Sequence, residues 1–122
     1  MAHVLVIDDS KIIRDLLIDF LTEEGHTVEA TGDSVEGVSK AINGAFDLCL
    51  CDLHIPKLNG YQVFCQVSAE RPELQFVFTD SLPDQLAEQT FRAGVSYCLR
   101  KPFDLEQLRA VLHQVTNPTA AK

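Results

Sequence analysis

Five short strand-like runs separated by segments of helical periodicity constrain this chain more than any other feature. HVLVI at 3–7, FDLCLC at 46–51 and QFVFT at 75–79 are continuously apolar rather than alternating, as expected of strands covered on both faces. HTVEA at 26–30 and VSYCL at 95–99 are weaker runs of the same kind. The first intervening segment carries Ile12, Ile13, Leu16, Leu17, Phe20 and Leu21 at helical spacing, with Ser10 as N-cap and Gly25 beyond the end. Asp33-x-x-Glu36 forms a capping box ahead of Val35, Val38, Ala41 and Ile42, and Gly44 ends that helix. A third helix is predicted from Gly60 to Ala69 and a fourth from near Pro83 to Gly94. Asp104-x-x-Gln107 caps a fifth, which carries Leu105, Leu108, Val111, Leu112 and Val115. The order is βα five times over, which implies right-handed crossovers and a parallel sheet with helices on both faces.

Length and composition agree with one domain. The chain has 122 residues, 46% apolar and 23% charged, which excludes disordered and collagen-like classes. Residues 1–116 are read as the domain and 117–122 as a loose C-terminal tail. No apolar stretch approaches the length of a membrane span, and MAHVLVIDD has no basic region before its apolar residues. The net charge of −8 repels nucleic acid phosphates, so direct nucleic acid binding is not expected. Acidity alone does not establish metal binding. Cys49, Cys51, Cys65 and Cys98 lack zinc spacing and are read as small buried hydrophobes in a reducing compartment, with Cys49 and Cys51 on opposite faces of a strand.

In an open parallel sheet, ligands bind at the carboxyl ends of the strands. This chain places Asp8 and Asp9 after the first strand, Asp52 after the third, Thr79 after the fourth and Lys101 after the fifth. Each alone has a structural reading: a helix dipole partner, a β-branched strand end, a solvated lysine. Three acids, a hydroxyl and an ammonium at one edge are hard to assign to packing.

The pieces VLVIDDS at 4–10, DLHIPKLNG at 52–60, FVFTD at 76–80 and RAGVSYCLRKPF at 92–103 resemble the receiver domain of two-component response regulators, over essentially the whole chain. The resemblance implies a flavodoxin-like (βα)5 three-layer sandwich, its five parallel strands in the order 2-1-3-4-5, and a cis Lys101-Pro102 bond. It implies that Asp52 accepts a phosphoryl group from a phosphohistidine, supplied by a sensor histidine kinase or a histidine phosphotransfer protein. Mg²⁺ is the implied cofactor, held by Asp9 and Asp52, with Asp8 at or just outside the coordination sphere and the backbone carbonyl of His54 as a further ligand. Thr79 Oγ and Lys101 Nζ would hold phosphoryl oxygens. The expected protein is cytoplasmic and a regulatory phosphoacceptor rather than an enzyme. It would signal to a downstream protein target or an appended output domain, through a face spanning roughly residues 83–115.

Three positions, Asp80, Cys98 and Ile55, depart from the family pattern. Asp80 follows Thr79 where a small residue is usual, and is expected to border the approach to the acceptor unless it faces solvent or caps the next helix. Cys98 occupies the usual aromatic switch position, with Tyr97 one residue earlier. Ile55 stands in place of methionine, and His54 fills the variable position two after Asp52. The alternative reading is a receiver-like interaction module that works without phosphorylation. A phosphatase with an aspartate nucleophile would need an acid at His54, and a cobalamin D-x-H-x-x-G motif would need glycine at Lys57, so neither is adopted.

Overall fold

The computed structural model describes residues 1–80, 85–92 and 97–116. Its elements are β1 (His3–Ile7), α1 (Lys11–Glu23), β2 (Thr27–Thr31), α2 (Ser34–Asn43), β3 (Leu48–Asp52), α3 (Gly60–Glu70), β4 (Gln75–Asp80), α4 (Gln85–Arg92), β5 (Cys98–Arg100) and α5 (Leu105–Thr116). All strand pairs are parallel, and the sheet order is β2-β1-β3-β4-β5. This is the (βα)5 sandwich that the strand–helix alternation and the family resemblance imply.

The two-residue period of each strand divides the core. Leu5, Ile7, Cys49, Cys51, Phe76 and Phe78 face Val38 and Ala41 of α2 and Val63 and Val67 of α3. Val4, Val6, Leu48, Leu50, Val77 and Leu99 face Leu17, Phe20 and Leu21 of α1 and Leu108 and Leu112 of α5. Cys49 and Cys51 therefore share one face, correcting the sequence reading, because residues two apart in a strand point the same way. All four cysteines are free thiols; Cys65 is exposed on α3 and Cys98 only half-buried, so neither is a fully buried hydrophobe.

The predicted N-caps form, but the Asp33-x-x-Glu36 capping box closes on one side only, because the Asp33 amide donates to Thr31 Oγ1 rather than to the Glu36 side chain. The Ser10 side chain accepts from the Ile13 amide, and Asp33 Oδ1 accepts from the amides of Val35 and Glu36. Asp104 and Gln107 bond reciprocally, as do Asn59 and Gln62. The apolar stripe of α1 is narrower than its spacing suggested: Ile12 is 81% exposed and Leu16 44%. The sheet meets only the arc centred on Leu17, Phe20 and Leu21. Phe46 lies outside β3 and packs its ring against His3, with centroids 4.3 Å apart. The expected ends of the fourth helix at Pro83 and Gly94, the start of the fifth strand-like run and the 117–122 tail lie outside the described residues. Among the described residues no helix is long and apolar enough to cross a membrane.

Candidate functional site

Parallel strands bring their carboxyl ends to one edge, and β1, β3, β4 and β5 deliver the predicted residues there. Asp8 follows β1; its amide donates to the Thr31 carbonyl and its carbonyl accepts from Arg14 Nη1 at 2.7 Å. Asp52 is the last residue of β3 and pairs in register with Thr79 of β4. Thr79 is thus inside its strand rather than after it. Lys101 lies just past β5, its amide donating to the Asp80 carbonyl at 2.6 Å, and the Lys101-Pro102 bond is cis.

Carboxylate oxygens of Asp8, Asp9 and Asp52 all lie within 4.8 Å of one another. Asp8 and Asp52 are buried, at 2% and 7% exposure, whereas Asp9 is open to solvent. Lys101 Nζ donates to Asp8 Oδ2 at 3.0 Å and to Asp52 Oδ2 at 3.1 Å. The other oxygens are also held: Asp8 Oδ1 accepts from the Ser10 amide and Asp52 Oδ1 from the His54 amide. Burial pushes the Asp52 carboxyl above its ordinary range, with Lys101 and the His54 amide opposing and Asp8 adding to the rise. Burial also disfavours the Lys101 ammonium, but the hydrogen bonds and negative charge of Asp8 and Asp52 outweigh it, so Lys101 holds its proton more tightly than an ordinary lysine. Three acids around one ammonium leave surplus negative charge. The donors are all oxygens at one partly open edge, which suits a hard divalent cation.

The Thr79 hydroxyl is 3% exposed with its residue, and among the described residues it has no hydrogen-bond partner. An unpartnered buried polar group is costly, so it marks a place where a ligand acceptor is wanted.

The connection after β3 is braced from α2. Ser34 Oγ donates to the Pro56 carbonyl at 2.8 Å and accepts from the Leu58 amide at 3.0 Å. Lys57, at φ 73°, places Nζ 2.7 Å from Asp33 Oδ2. Gly60 starts α3 hard against the strand end: a Cβ there would lie 2.6 Å from the Asp52 carbonyl oxygen.

Sequence reasoning missed two features. Asp33 was legible as a cap but not as a partner for Lys57, since nothing local links residues 24 apart. His54 Nε2 lies 3.1 Å from Asp80 Oδ1. Asp80 is thus 4% exposed and turned inward, so it does not face solvent. Cys98, in the switch position, has its thiol pushed up to about 11 by burial and by the charge of Asp80.

The fold and this acidic edge define a phosphoacceptor receiver module, and the comparisons with known proteins agree. Residues 4–113 match the response regulator receiver domain family, and the chain belongs to that family. It is 33% identical to the DNA-binding dual master transcriptional regulator RpaA of Synechocystis sp., over 100% of this chain and 54% of that protein. It is 30% identical to the transcriptional regulatory protein TcrA of Mycobacterium tuberculosis, over 94% of this chain and 46% of that one. The chain spans about half the length of these curated relatives. Among solved structures, the chemotaxis protein CheY4 of Vibrio cholerae is 29% identical with a TM-score of 0.85, covering 94% of this chain and 98% of its own. A CheY-like receiver domain protein of Methanospirillum hungatei, 22% identical with a TM-score of 0.88 over 100% and 99% of the two chains, shares the fold.

Proposed function

We propose that Asp52 is the phosphoacceptor of this receiver domain, taking a phosphoryl group from a phosphohistidine on a sensor histidine kinase or histidine phosphotransfer protein. The observation that carries this reading is the Thr79 hydroxyl, buried without a partner among the described residues at the register position opposite Asp52. A phosphoryl oxygen on Asp52 would accept its hydrogen bond. A purely structural site, as in an interaction module independent of phosphorylation, gives no reason to leave that hydroxyl unsatisfied.

The residues suit Mg²⁺: the clustered carboxylates of Asp9 and Asp52 would supply ligands, with Asp8 at or just outside the coordination sphere, and the His54 backbone carbonyl would be a further ligand. Bound there, Mg²⁺ would neutralise charge on the phosphoryl oxygens. The other roles fall to the chain itself. The His54 amide and Lys101 Nζ orient the Asp52 carboxylate by its two oxygens, each of which keeps a lone pair for attack. As the Asp52 oxygen bonds to phosphorus, the phosphorus–nitrogen bond of the donor breaks and the imidazole leaves with its electron pair. Lys101 Nζ then holds a phosphoryl oxygen opposite the Thr79 hydroxyl. Acceptance of the group and its slow loss to water are the chemistry of a regulatory domain rather than of an enzyme with turnover.

The finer expectations belong to the same reading: a domain over 1–116 with a tail over 117–122, a cytoplasmic setting, and a downstream protein target or appended output domain. The test is intact-mass analysis after incubation with acetyl phosphate and Mg²⁺. One added phosphoryl group, absent in Asp52→Asn, supports the assignment; labelling that survives that substitution refutes it.

A further inference from the structure

We infer that His54 and Asp80 form a latch across the acceptor site, restricting the access of small phosphodonors and of water to Asp52. The inference rests on the reading of Asp52 as acceptor and adds a control on that site. His54 Nε2 is 3.1 Å from Asp80 Oδ1, hydrogen-bond distance for an N–H donor. The partners come from neighbouring strand ends. His54 lies two residues past Asp52 and Asp80 one past Thr79, and Asp52 and Thr79 pair in register. A contact between 54 and 80 therefore spans the two strand ends that carry the acceptor and the Thr79 hydroxyl.

The latch has a buried side and a solvent-facing one. The Asp80 side chain is 6% exposed, and its backbone carbonyl is held by the Lys101 amide. The His54 side chain is 40% exposed, while its amide is tied to Asp52 Oδ1. The imidazole is thus anchored beside the acceptor at its root and meets Asp80 at its tip, on the solvent-facing side of the pair. Asp80 acts here as a positioning residue, through His54.

One obstruction should slow both gain and loss of the phosphoryl group. In the gain from acetyl phosphate, an Asp52 oxygen bonds to phosphorus while the bond from phosphorus to the acetate oxygen breaks, and acetate leaves with the electron pair. In the loss, a water oxygen bonds to phosphorus and the bond to Asp52 breaks. Asp52 recovers its carboxylate, and the water proton passes to solvent with release of inorganic phosphate. In-line displacement places the departing acetate and the incoming water at the same position, across phosphorus from Asp52. A small molecule brings no binding surface with which to open the latch.

The experiment measures labelling by acetyl phosphate with Mg²⁺, and decay after donor removal, in wild type, His54→Ala, Asp80→Ala and the double variant. Each single variant should speed both steps at least about fivefold, and the double should be no faster than the quicker single, because contacting residues that act as one unit do not add. Acceleration in Asp80→Ala alone, slowing in either variant, or additive effects would overturn the latch. Should Asp80→Ala fail to fold, His54→Ala and His54→Ser, at an exposed position, decide the matter by the same accelerations. Each variant is repeated with Asp52→Asn. Equal rates with labelling confined to Asp52 overturn the latch alone. Labelling that survives Asp52→Asn, or is absent throughout, overturns the acceptor reading and the latch with it.

Discussion

Lys101 Nζ stands 3.1 Å from Asp52 Oδ2, joining the loop after β5 to the end of β3 across 49 positions of sequence. The same ammonium reaches Asp8 Oδ2 at 3.0 Å, so one cation balances two carboxylates whose side chains are only 3% and 9% exposed. Removing one partner of a buried ion pair leaves charge uncompensated, and costs about 3–5 kcal/mol where burial is complete. Lys101 keeps 21% of its side chain exposed, so Lys101→Met should cost less, about 2 kcal/mol. Urea unfolding at neutral pH without divalent cations measures this, and an unchanged midpoint would refute it. Millimolar Mg²⁺ should restore more stability to Lys101→Met than it adds to wild type.

Asp52→Asn should act in the opposite direction. Burial raises the Asp52 carboxyl above its unfolded range, so the folded state prefers it protonated. A raised carboxyl contributes stability at low pH that is lost as pH rises through its folded value; at neutral pH the charge is a net cost. The amide of Asn keeps an oxygen for the His54 amide or Lys101 while removing the charge. The expected gain is a few degrees in Tm at neutral pH without metal, about 1 kcal/mol in a domain of this size. The gain should disappear as pH falls below the folded value for Asp52. Calorimetry across pH on the two proteins tests it, and a lower Tm for Asp52→Asn at neutral pH would contradict it.

How much of this could be read from sequence depends on whether the cause is local. The runs at 3–7 and 75–79 are legible because strands buried on both faces must be continuously apolar. The edge strand β2 reads less clearly because Thr27 and Glu29 are exposed in it. The meeting of Asp8, Asp9, Asp52 and Lys101 is legible because parallel strands share an edge, however distant their residues in sequence. The His54–Asp80 contact and the Lys57–Asp33 tie are not, because they depend on how the β3–α3 connection leaves the sheet. Nor could spacing alone show that Ile12 is left outside, since an apolar stripe does not say how wide an arc the sheet will cover.

His26 offers a pH test remote from the acidic edge. Its Nδ1 accepts from the Ala2 amide at 2.9 Å, a bond that requires that nitrogen to be unprotonated. Burial, then the N-terminal ammonium, lower its affinity for a proton, with Glu24 opposing. A depressed folded value means that the unfolded chain takes up the proton first. The contribution of His26 is therefore present above about pH 6.5 and lost as pH falls through the lowered folded value. His26→Gln, which retains an acceptor oxygen, should flatten the stability profile in that window. Urea midpoints at several pH values for the two proteins provide the comparison. Identical slopes would remove His26 from the account.

Gly60 is where a single carbon atom should do the most damage near the site. A Cβ at this position would lie 2.6 Å from the Asp52 carbonyl oxygen and 2.8 Å from Leu53 Cα, both backbone atoms that cannot turn aside. At Gly25 the situation is different: a Cβ would meet nothing within 4 Å, and only its φ of 90° resists substitution. Gly25→Ala should therefore cost about 1 kcal/mol and leave the acidic edge unchanged. Gly60→Ala must push the start of α3 away from β3, breaking the 2.8 Å bond from the Gly60 amide to the Leu53 carbonyl. Overpacking of this kind costs about 1–3 kcal/mol. The displaced connection carries the His54 amide with it, so the bond to Asp52 Oδ1 should lengthen. Amide spectra of Gly60→Ala should then shift at His54 and along 52–60, while those of Gly25→Ala stay confined to the end of α1. A Gly60→Ala protein with wild-type stability and wild-type shifts over 52–60 would show that the helix start is free to move, contrary to the tight approach at Asp52.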